Sequence, residues 1–376
     1  MTRWQTRRSW PVVSAAFLTL LFIAVPAVAQ APSQGMDIRT GIVLDTYRFG
    51  DEEATGIRSL SLLTLPISGA VALGQRGTLQ ISGAFARGSL EASNGESVEV
   101  SGLTDTEVRF GVRMVRDVVF QVQGVAVLPT GHSTQTPEEA VVAGALAADL
   151  LPFRISNWGS GGGAGIHTSA ARSFGDTGFG VSASYMVGRE FEPVEAEPFA
   201  YRPGNQLRLR GAMDHNVGPG SKVSLTVTLE RYSDDALDGA NLFRSGNRVQ
   251  VVSSYGFAPS SRTSALVYGG VFHRSQGTAL LEVAPDVPSQ QLLLAGGGMR
   301  LPMEWGVVVP SLDTRVFRSD DGVGQGWITG LGVSAEVPAA GQMLVPSVRA
   351  RFGNVLVREG SDSSITGLEI SLTARF

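Results

Sequence analysis

The chain has 376 residues, 47 of them glycine and none cysteine, with a formal charge of −4. Without cysteine there is no disulfide framework and no thiolate metal site, and a net acidic chain does not suit nucleic-acid phosphates. Mean hydropathy is only +0.11, and past the N-terminal segment no apolar run is long enough for a transmembrane helix.

The N-terminus carries Arg3, Arg7 and Arg8, then the apolar stretch from Pro11 to Val25, then the small-x-small site Ala27-Val28-Ala29. That pattern predicts a secretory signal peptide over residues 1–29 and a single mature domain over 30–376. Its removal takes three arginines and no acid, which makes the mature charge −7.

From Met36 onward the chain reads as sixteen segments of strand-like alternation, starting near Met36, Ile57, Gly77, Asp105, Val118, Gly163, Gly178, Asn205, Lys222, Asn247, Arg262, Gln291, Gly306, Gly326, Gln342 and Ser364. The eighth and ninth are clearest: Leu207, Leu209 and Met213 alternate with Arg208, Arg210 and Asp214, and Val223, Leu225, Val227 and Leu229 with Ser224, Thr226, Thr228 and Glu230. In the last, Leu368, Ile370, Leu372, Ala374 and Phe376 alternate with Glu369, Ser371, Thr373 and Arg375. About ten such residues cross a bilayer when tilted. A strand ending in Phe376 in this way resembles the assembly signal of bacterial outer-membrane barrels, which implies the barrel-assembly machinery as a partner.

A soluble sandwich also alternates, so connection lengths decide. After even-numbered segments the links are tight turns, such as Gly74-Gln75-Arg76-Gly77, Arg116-Asp117, Gly175-Asp176-Thr177-Gly178 and Ala339-Ala340-Gly341. After odd-numbered ones they are longer and polar: 88–103, 129–162, 189–203, 232–246, 275–289, 318–325 and 353–363. Short periplasmic turns alternating with long outer loops is the outer-membrane layout. A protein that spans lipid without helices must close its sheet. The predicted fold is therefore all-β, a transmembrane antiparallel up-and-down barrel of about sixteen strands, with counts of twelve to fourteen left open, in the bacterial outer membrane.

Charge follows the same division. Acids cluster in the long loops, at Asp51-Glu52-Glu53, at Glu190, Glu192, Glu195 and Glu197, at Asp234, Asp235 and Asp238, and at Asp320-Asp321. Solvated surface is one reading of them, and divalent-cation bridging to outer-membrane lipid and lipopolysaccharide is the other. Arg109, Arg113, Arg208, Arg210, Arg248, Arg315, Arg349, Arg351 and Arg375 fall instead on the polar face of strands, with Glu107, Asp214, Glu230, Asp313 and Glu369. A charge facing mid-bilayer lipid costs about 2–4 kcal/mol, so all of these are expected to line the lumen.

The longest link, Pro129 to Gly162, holds a helix start: Thr136 as N-cap, Pro137 at the first position, then Glu138 and Glu139 at the positive end of the dipole. Apolar Ala140 to Leu151 predicts a helix that Pro152 stops. Such a helix has to be buried, either inside the lumen or on the rim. In trimeric general porins the loop in this ordinal position folds inward as the constriction, and this chain is similar in that respect. Glu138, Glu139, Ala140, Leu146 and Leu150 are its candidate constriction residues.

Leu128-Pro129-Thr130-Gly131, the glycine-rich hairpin from Gly159 to Met186 and Tyr201-Arg202-Pro203-Gly204-Asn205-Gln206-Leu207 resemble stretches of the meta-pathway phenol-degradation family of outer-membrane transporters. That resemblance implies passage of small molecules, hydrophobic or aromatic ones among them. From the residues themselves the expected function is a non-enzymatic channel for small solutes, needing no cofactor or metal. Two alternatives stand: a non-conducting structural or adhesive barrel, and an outer-membrane enzyme built on His132, His167, His215 or His273. Oligomeric state is left open.

Overall fold

The computed structural model describes residues 36–195, 199–281, 287–322, 324–358 and 361–376. The predicted signal peptide and Glu197 lie outside them. A chain that alternates every second residue has one apolar and one polar face per strand, and in lipid its backbone groups can be satisfied only by strand neighbours. The strands accordingly join edge to edge in chain order: β1 (Met36–Phe49), β2 (Ile57–Leu73), β3 (Gly77–Ala92), β4 (Thr106–Val115), β5 (Val119–Leu128), β6 (Gly163–Phe174), β7 (Thr177–Gly188), β8 (Gln206–Gly218), β9 (Ser221–Tyr232), β10 (Arg248–Phe257), β11 (Ser264–Arg274), β12 (Gln290–Met303), β13 (Gly306–Ser319), β14 (Gly326–Ala339), β15 (Gln342–Arg358) and β16 (Ser361–Arg375). Every pairing in the ring is antiparallel, and β1 pairs with both β2 and β16, which closes the sheet. Phe376 N donates to Ile38 O at 2.9 Å just beyond β16. The barrel is a sixteen-stranded transmembrane one, as the sequence predicts.

Register follows from the two faces, since a one-residue slip would turn every apolar side chain inward. Ile42 and Leu44 of β1, Leu65 and Ile67 of β2, Phe179 and Val181 of β7, Leu312 of β13, Leu331 of β14 and Ile370 of β16 are exposed on the outer face. A girdle of exposed large apolar side chains is untenable in water and expected in lipid. Val43, Asp45 and Tyr47 of β1, which alternate with these, are buried on the inner face.

Several boundaries differ from the sequence reading. The loop expected at 88–103 is mostly strand, because β3 runs to Ala92 and a short strand, Ser97–Leu103, pairs with its upper half in line with β4. Between them lies a bulge: Phe85 faces Leu103 whereas Ser82 faces Glu107, so three steps on β3 match four opposite. The loop expected at 353–363 is likewise strand on both sides, in β15 and β16. In both places the outer face turns polar, through Arg87, Ser89, Glu91, Glu99 and Ser101 in one and Asn354, Asp362 and Ser364 in the other. These ends stand beyond the apolar band, so the apolar-out signal that marks a strand lower down is missing.

The outer loops are also more ordered than expected. Tyr201–Arg202, Asp234–Leu237, Ala240–Arg244 and Thr278–Ala279 form a second, four-stranded sheet. Its acids are engaged within the loops. Asp235 Oδ2 accepts from the Tyr201 hydroxyl at 2.7 Å and its Oδ1 accepts from Gly204 N at 2.7 Å. Burial pushes the Tyr201 hydroxyl well above its ordinary value, and the bond to Asp235 adds to the rise. Hydrogen bonds from Arg244 hold the Asp234 carboxyl below the usual aspartate range. Asp51 caps the short helix α1 (Glu52–Thr55), and Glu52 accepts from Arg58 at 2.9 Å. Among the described residues no group of three metal-ligating side chains converges.

Candidate functional site

The link after β5 folds onto the inner face of the barrel. Its helix α2 spans Pro137–Leu146, with the full capping box: Glu139 N donates to Thr136 Oγ1 at 3.2 Å and Thr136 N donates to Glu139 Oε2 at 2.9 Å. It ends at Leu146, five residues before the expected Leu151, and the N–H of its C-cap Ala147 bonds to the carbonyls of Ala143, Gly144 and Ala145. Residues 147–151 continue as turns, yet Leu150 and Leu151 remain buried.

Burial comes from the wall. Val142, Leu146, Leu150, Leu151 and Trp158 form one apolar cluster with Tyr47 of β1, Leu60 and Leu62 of β2, Ala86 and Leu90 of β3, Val100, Phe317 of β13, Ile328 of β14 and Ile365 of β16. These wall residues all have inner-face parity, so the segment packs inside the ring. Trp158 is fully buried and its indole N–H donates to Ala86 O at 3.0 Å. Gly88 of β3 permits the contact: a Cβ there would stand 2.6 Å from Leu146 Cδ1 and 3.0 Å from the Trp158 ring.

Both ends of the segment are fastened by a residue the sequence reading passed over. Asp105, in the bulge before β4, accepts at Oδ1 from Gly131 N at 3.1 Å and at Oδ2 from Ser160 N and Ser160 Oγ, both at 2.7 Å. A side chain at position 131 would collide with Trp158 O at 2.0 Å, which explains the glycine of Leu128-Pro129-Thr130-Gly131. Thr130 of that motif accepts from Thr106 N at 2.9 Å. An aspartate beside a polar turn is a commonplace in sequence, and nothing there pairs it with residues 26 and 55 positions on. His132 turns back on the helix, 3.1 Å from Glu139 Oε2, while Glu138 is exposed and Ala140 is partly buried.

Deeper in, Phe153 meets Tyr47 edge to face at 5.0 Å, and Arg154 reaches Glu369 at 3.4 Å. Glu369 is the ninth of fifteen residues in β16, so the segment descends to about mid-barrel. There Arg351 donates to Glu369 at 2.6 Å and to the Tyr47 hydroxyl at 2.5 Å, with Asp45 at 3.9 Å. All four are buried.

Strand register puts all fourteen charged residues expected in the lumen on the inner-face parity, and it divides them between two unlike walls. On one wall the charges cancel locally: Arg349 pairs with Asp313, Arg351 with Glu369, Arg300 with Glu336 and Arg375 with Asp37. Arg315 lies among them, in Coulombic reach of Arg351 and Asp313. Arg109 pairs with Glu107 at 2.6 Å, and Arg113 follows on the same strand face. On β8 to β11 the inner face holds Arg208, Arg210, Lys222, Arg248 and Arg274 against only Asp214 and Glu230. No member of the apolar cluster comes from β5 to β11, so the segment's apolar packing lies on the other side of the ring from this basic wall. The histidines are scattered: His167 bonds to Gln123 at 3.1 Å, His215 to Thr177 at 2.9 Å, and His273 has outer-face parity.

No family model matches the chain, and no curated protein matches it either. The resemblance to the phenol-degradation transporters thus gains no support. Among solved structures, one described as a bacterial polysaccharide outer membrane secretin overlaps at a TM-score of 0.47 and 10% identity, over 91% of this chain and 99% of its own. The outer membrane channel DcaP of Acinetobacter baumannii gives 0.43 and 8%, over 91% and 97%. An outer membrane channel from Pseudomonas putida F1 gives 0.39 and 10%, over 93% and 98%. Overlaps this loose say nothing of what the chain carries, and the architecture stands on its own strand pairings.

Proposed function

We propose that the protein is a passive channel for small solutes in the bacterial outer membrane, narrowed by the segment after β5. A ring of sixteen strands is wide enough to hold water. The observation that supports the reading is the one-sided packing of that segment: its apolar cluster lies against β13 to β3, and the arginine-bearing inner face of β8 to β11 contributes nothing to it. A merely structural barrel has no use for such a wall. The outer face meets lipid and lipopolysaccharide, and the barrel-assembly machinery inserts the chain. Because Glu107, Asp214, Glu230, Asp313 and Glu369 on the same inner face offset part of the arginine charge, the pore prefers anions weakly.

Planar-bilayer recording tests this. Discrete conductance steps with a small anion preference are expected. Removing Glu138 to Leu151 and bridging with a Gly/Ser link breaks no ring pairing and should raise the step size. Folded protein that never conducts would leave the structural-barrel alternative in place. A conducting deletion variant with wild-type steps would remove the constriction role from Glu138, Glu139, Ala140, Leu146 and Leu150.

A further inference from the structure

We infer that the cleft on the outer face at the extracellular ends of β7, β8 and β9 binds the phosphorylated headgroup of an outer-leaflet glycolipid, the lipid A part of lipopolysaccharide, by direct contact with Arg231. The inference needs only the barrel's place in the outer membrane and is independent of conduction. It starts from the face on which this arginine lies. Leu207 pairs with Tyr185 on one side and with Arg231 on the other, and it alternates with Arg208 of the inner face. Tyr185, Leu207 and Arg231 therefore form one row on the lipid side, and all three are exposed. The long connections 189–203 and 232–246 follow β7 and β9, which puts the row at the extracellular end. Below it the outer face is apolar, with Leu209, Leu229, Val181 and Phe179 exposed. An arginine at this height carries its guanidinium past the apolar band to the level of the headgroups.

What singles out Arg231 is the lack of an acid. On β3 the outward Arg87 is matched by Glu99. Arg231 has neither a hydrogen bond nor an ion pair from its side chain among the described residues. Its partner on β8 is Leu207, and the pairing with β10 stops one residue short of it, at Glu230 and Arg248. Asp234, the acid that lines the cleft, is already engaged: Oδ1 accepts from Arg244 Nε, and Oδ2 accepts from Arg244 Nη2 and Asn241 Nδ2. An anion at the headgroup level thus meets an exposed guanidinium without a competing carboxylate.

The cleft holds a second donor. Tyr185 Oη accepts from Asn205 Nδ2 at 3.0 Å, which leaves its own proton for a phosphate or sugar oxygen. Arg231, Tyr185 and Arg244 line the one cleft with Leu207 between them. The backbones of Tyr185 and Arg231 stand two strand spacings apart, about 9.6 Å at 4.8 Å each. A phosphate fits between the tips of two such side chains, and the planar fork of a guanidinium suits it. Acyl chains joined to that headgroup run down over Leu207, Leu209 and Leu229, which a soluble anion would leave bare.

The test is equilibrium binding of fluorescently labelled, bisphosphorylated lipid A to the detergent-solubilised full-length barrel, in EDTA. Lipid A stripped of its phosphates should bind at least ~10-fold more weakly, and Arg231→Gln should weaken binding of the intact lipid ~10-fold. Tyr185→Phe keeps the ring and removes the donor, so it should weaken binding ~3-fold. Arg318→Gln should change nothing, because Arg318 is an equally exposed outer-face arginine four strands away on β13. A loss in Arg318→Gln as large as in Arg231→Gln would mean diffuse surface charge and would overturn the cleft. So would equal binding of the dephosphorylated lipid, or wild-type binding by folded Arg231→Gln protein. Binding that EDTA abolishes would assign the lipid to divalent bridging at the loop acids instead. Competition by phosphatidylglycerol or inorganic phosphate as strong as by unlabelled lipid A would overturn the assignment to the glycolipid. Should Arg231→Gln fail to fold, Tyr185→Phe decides, and unchanged binding there counts against the proposal.

Discussion

Replacing Trp158 with alanine isolates the docking of the inward segment from the stability of the barrel. The side chain is fully buried, its N–H bonds to Ala86 O, and no ring pairing involves it. Truncating a buried tryptophan costs about 3–5 kcal/mol. At 1.4 kcal/mol per tenfold, that is roughly two to three and a half decades in the docking equilibrium. Val142, Leu146, Leu150 and Leu151 remain, each contributing about 1.5–3 kcal/mol of burial, as do the Asp105 clamp and the Arg154–Glu369 pair. The segment should stay docked most of the time and leave the wall far more often than before. Single-channel records should show added open-state noise and brief excursions to higher conductance, with heat-modifiable gel mobility still that of a folded barrel. Adding Leu146→Ala should lengthen the excursions, by less than an additive amount, since both side chains rest on Gly88. A folded Trp158→Ala protein with wild-type steps and noise would refute the idea that this cluster holds the constriction.

Three other outcomes follow from named contacts. Asp105→Ala removes an acceptor of three hydrogen bonds, each worth about 1.5–3 kcal/mol for a charged partner; limited proteolysis within 129–162 should rise with the barrel intact, and a wild-type cleavage pattern would show that the clamp does not matter. Arg351→Met leaves Asp45 and Glu369 buried without their main cation and should cost about 3–5 kcal/mol, lowering the temperature at which the barrel loses its folded gel mobility. Arg351→Met with Glu369→Gln should recover part of that loss, and an unchanged transition in the single variant would contradict the account. In the outer loops Arg244 depresses the Asp234 carboxyl below its ordinary 3.8, so the pair's contribution is complete above that value and fades as pH falls through the lower folded one. Protease sensitivity of 233–247 should therefore be flat at neutral and mildly acid pH and increase only below about pH 3.8; an increase near pH 6 would point to another group.

The ring was legible in the sequence because a barrel strand meets two solvents at once. Leu207 and Leu209 must face lipid while Arg208 and Arg210 cannot, so period-two alternation gives strand, face and register together. Turn chemistry at Gly74 to Gly77 and at Ala340-Gly341 then gives the parity of long and short connections. Where the outer face meets water instead, the constraint lapses. For that reason Ser97–Leu103 and the upper ends of β15 and β16 read as loop in the sequence. The start of α2 was equally plain from Thr136, Pro137 and Glu139, since a capping box is made within four residues.

What only the tertiary structure decided are the contacts between residues that closure and loop docking bring together. That the segment after β5 lies inside depends on Tyr47, Leu60, Phe317 and Ile365 facing one another across a closed seam. That Asp105 clamps it depends on a bulge, and a bulge exists only relative to the partner strand. That Arg349 is paired and Arg210 is not depends on which acids lie on neighbouring strands and on whether those acids are already taken, as Glu230 is. Alternation assigns a side chain to a face, because the pleat is local. It cannot assign a partner on that face, because partners are set by the order and register of strands far apart in the chain.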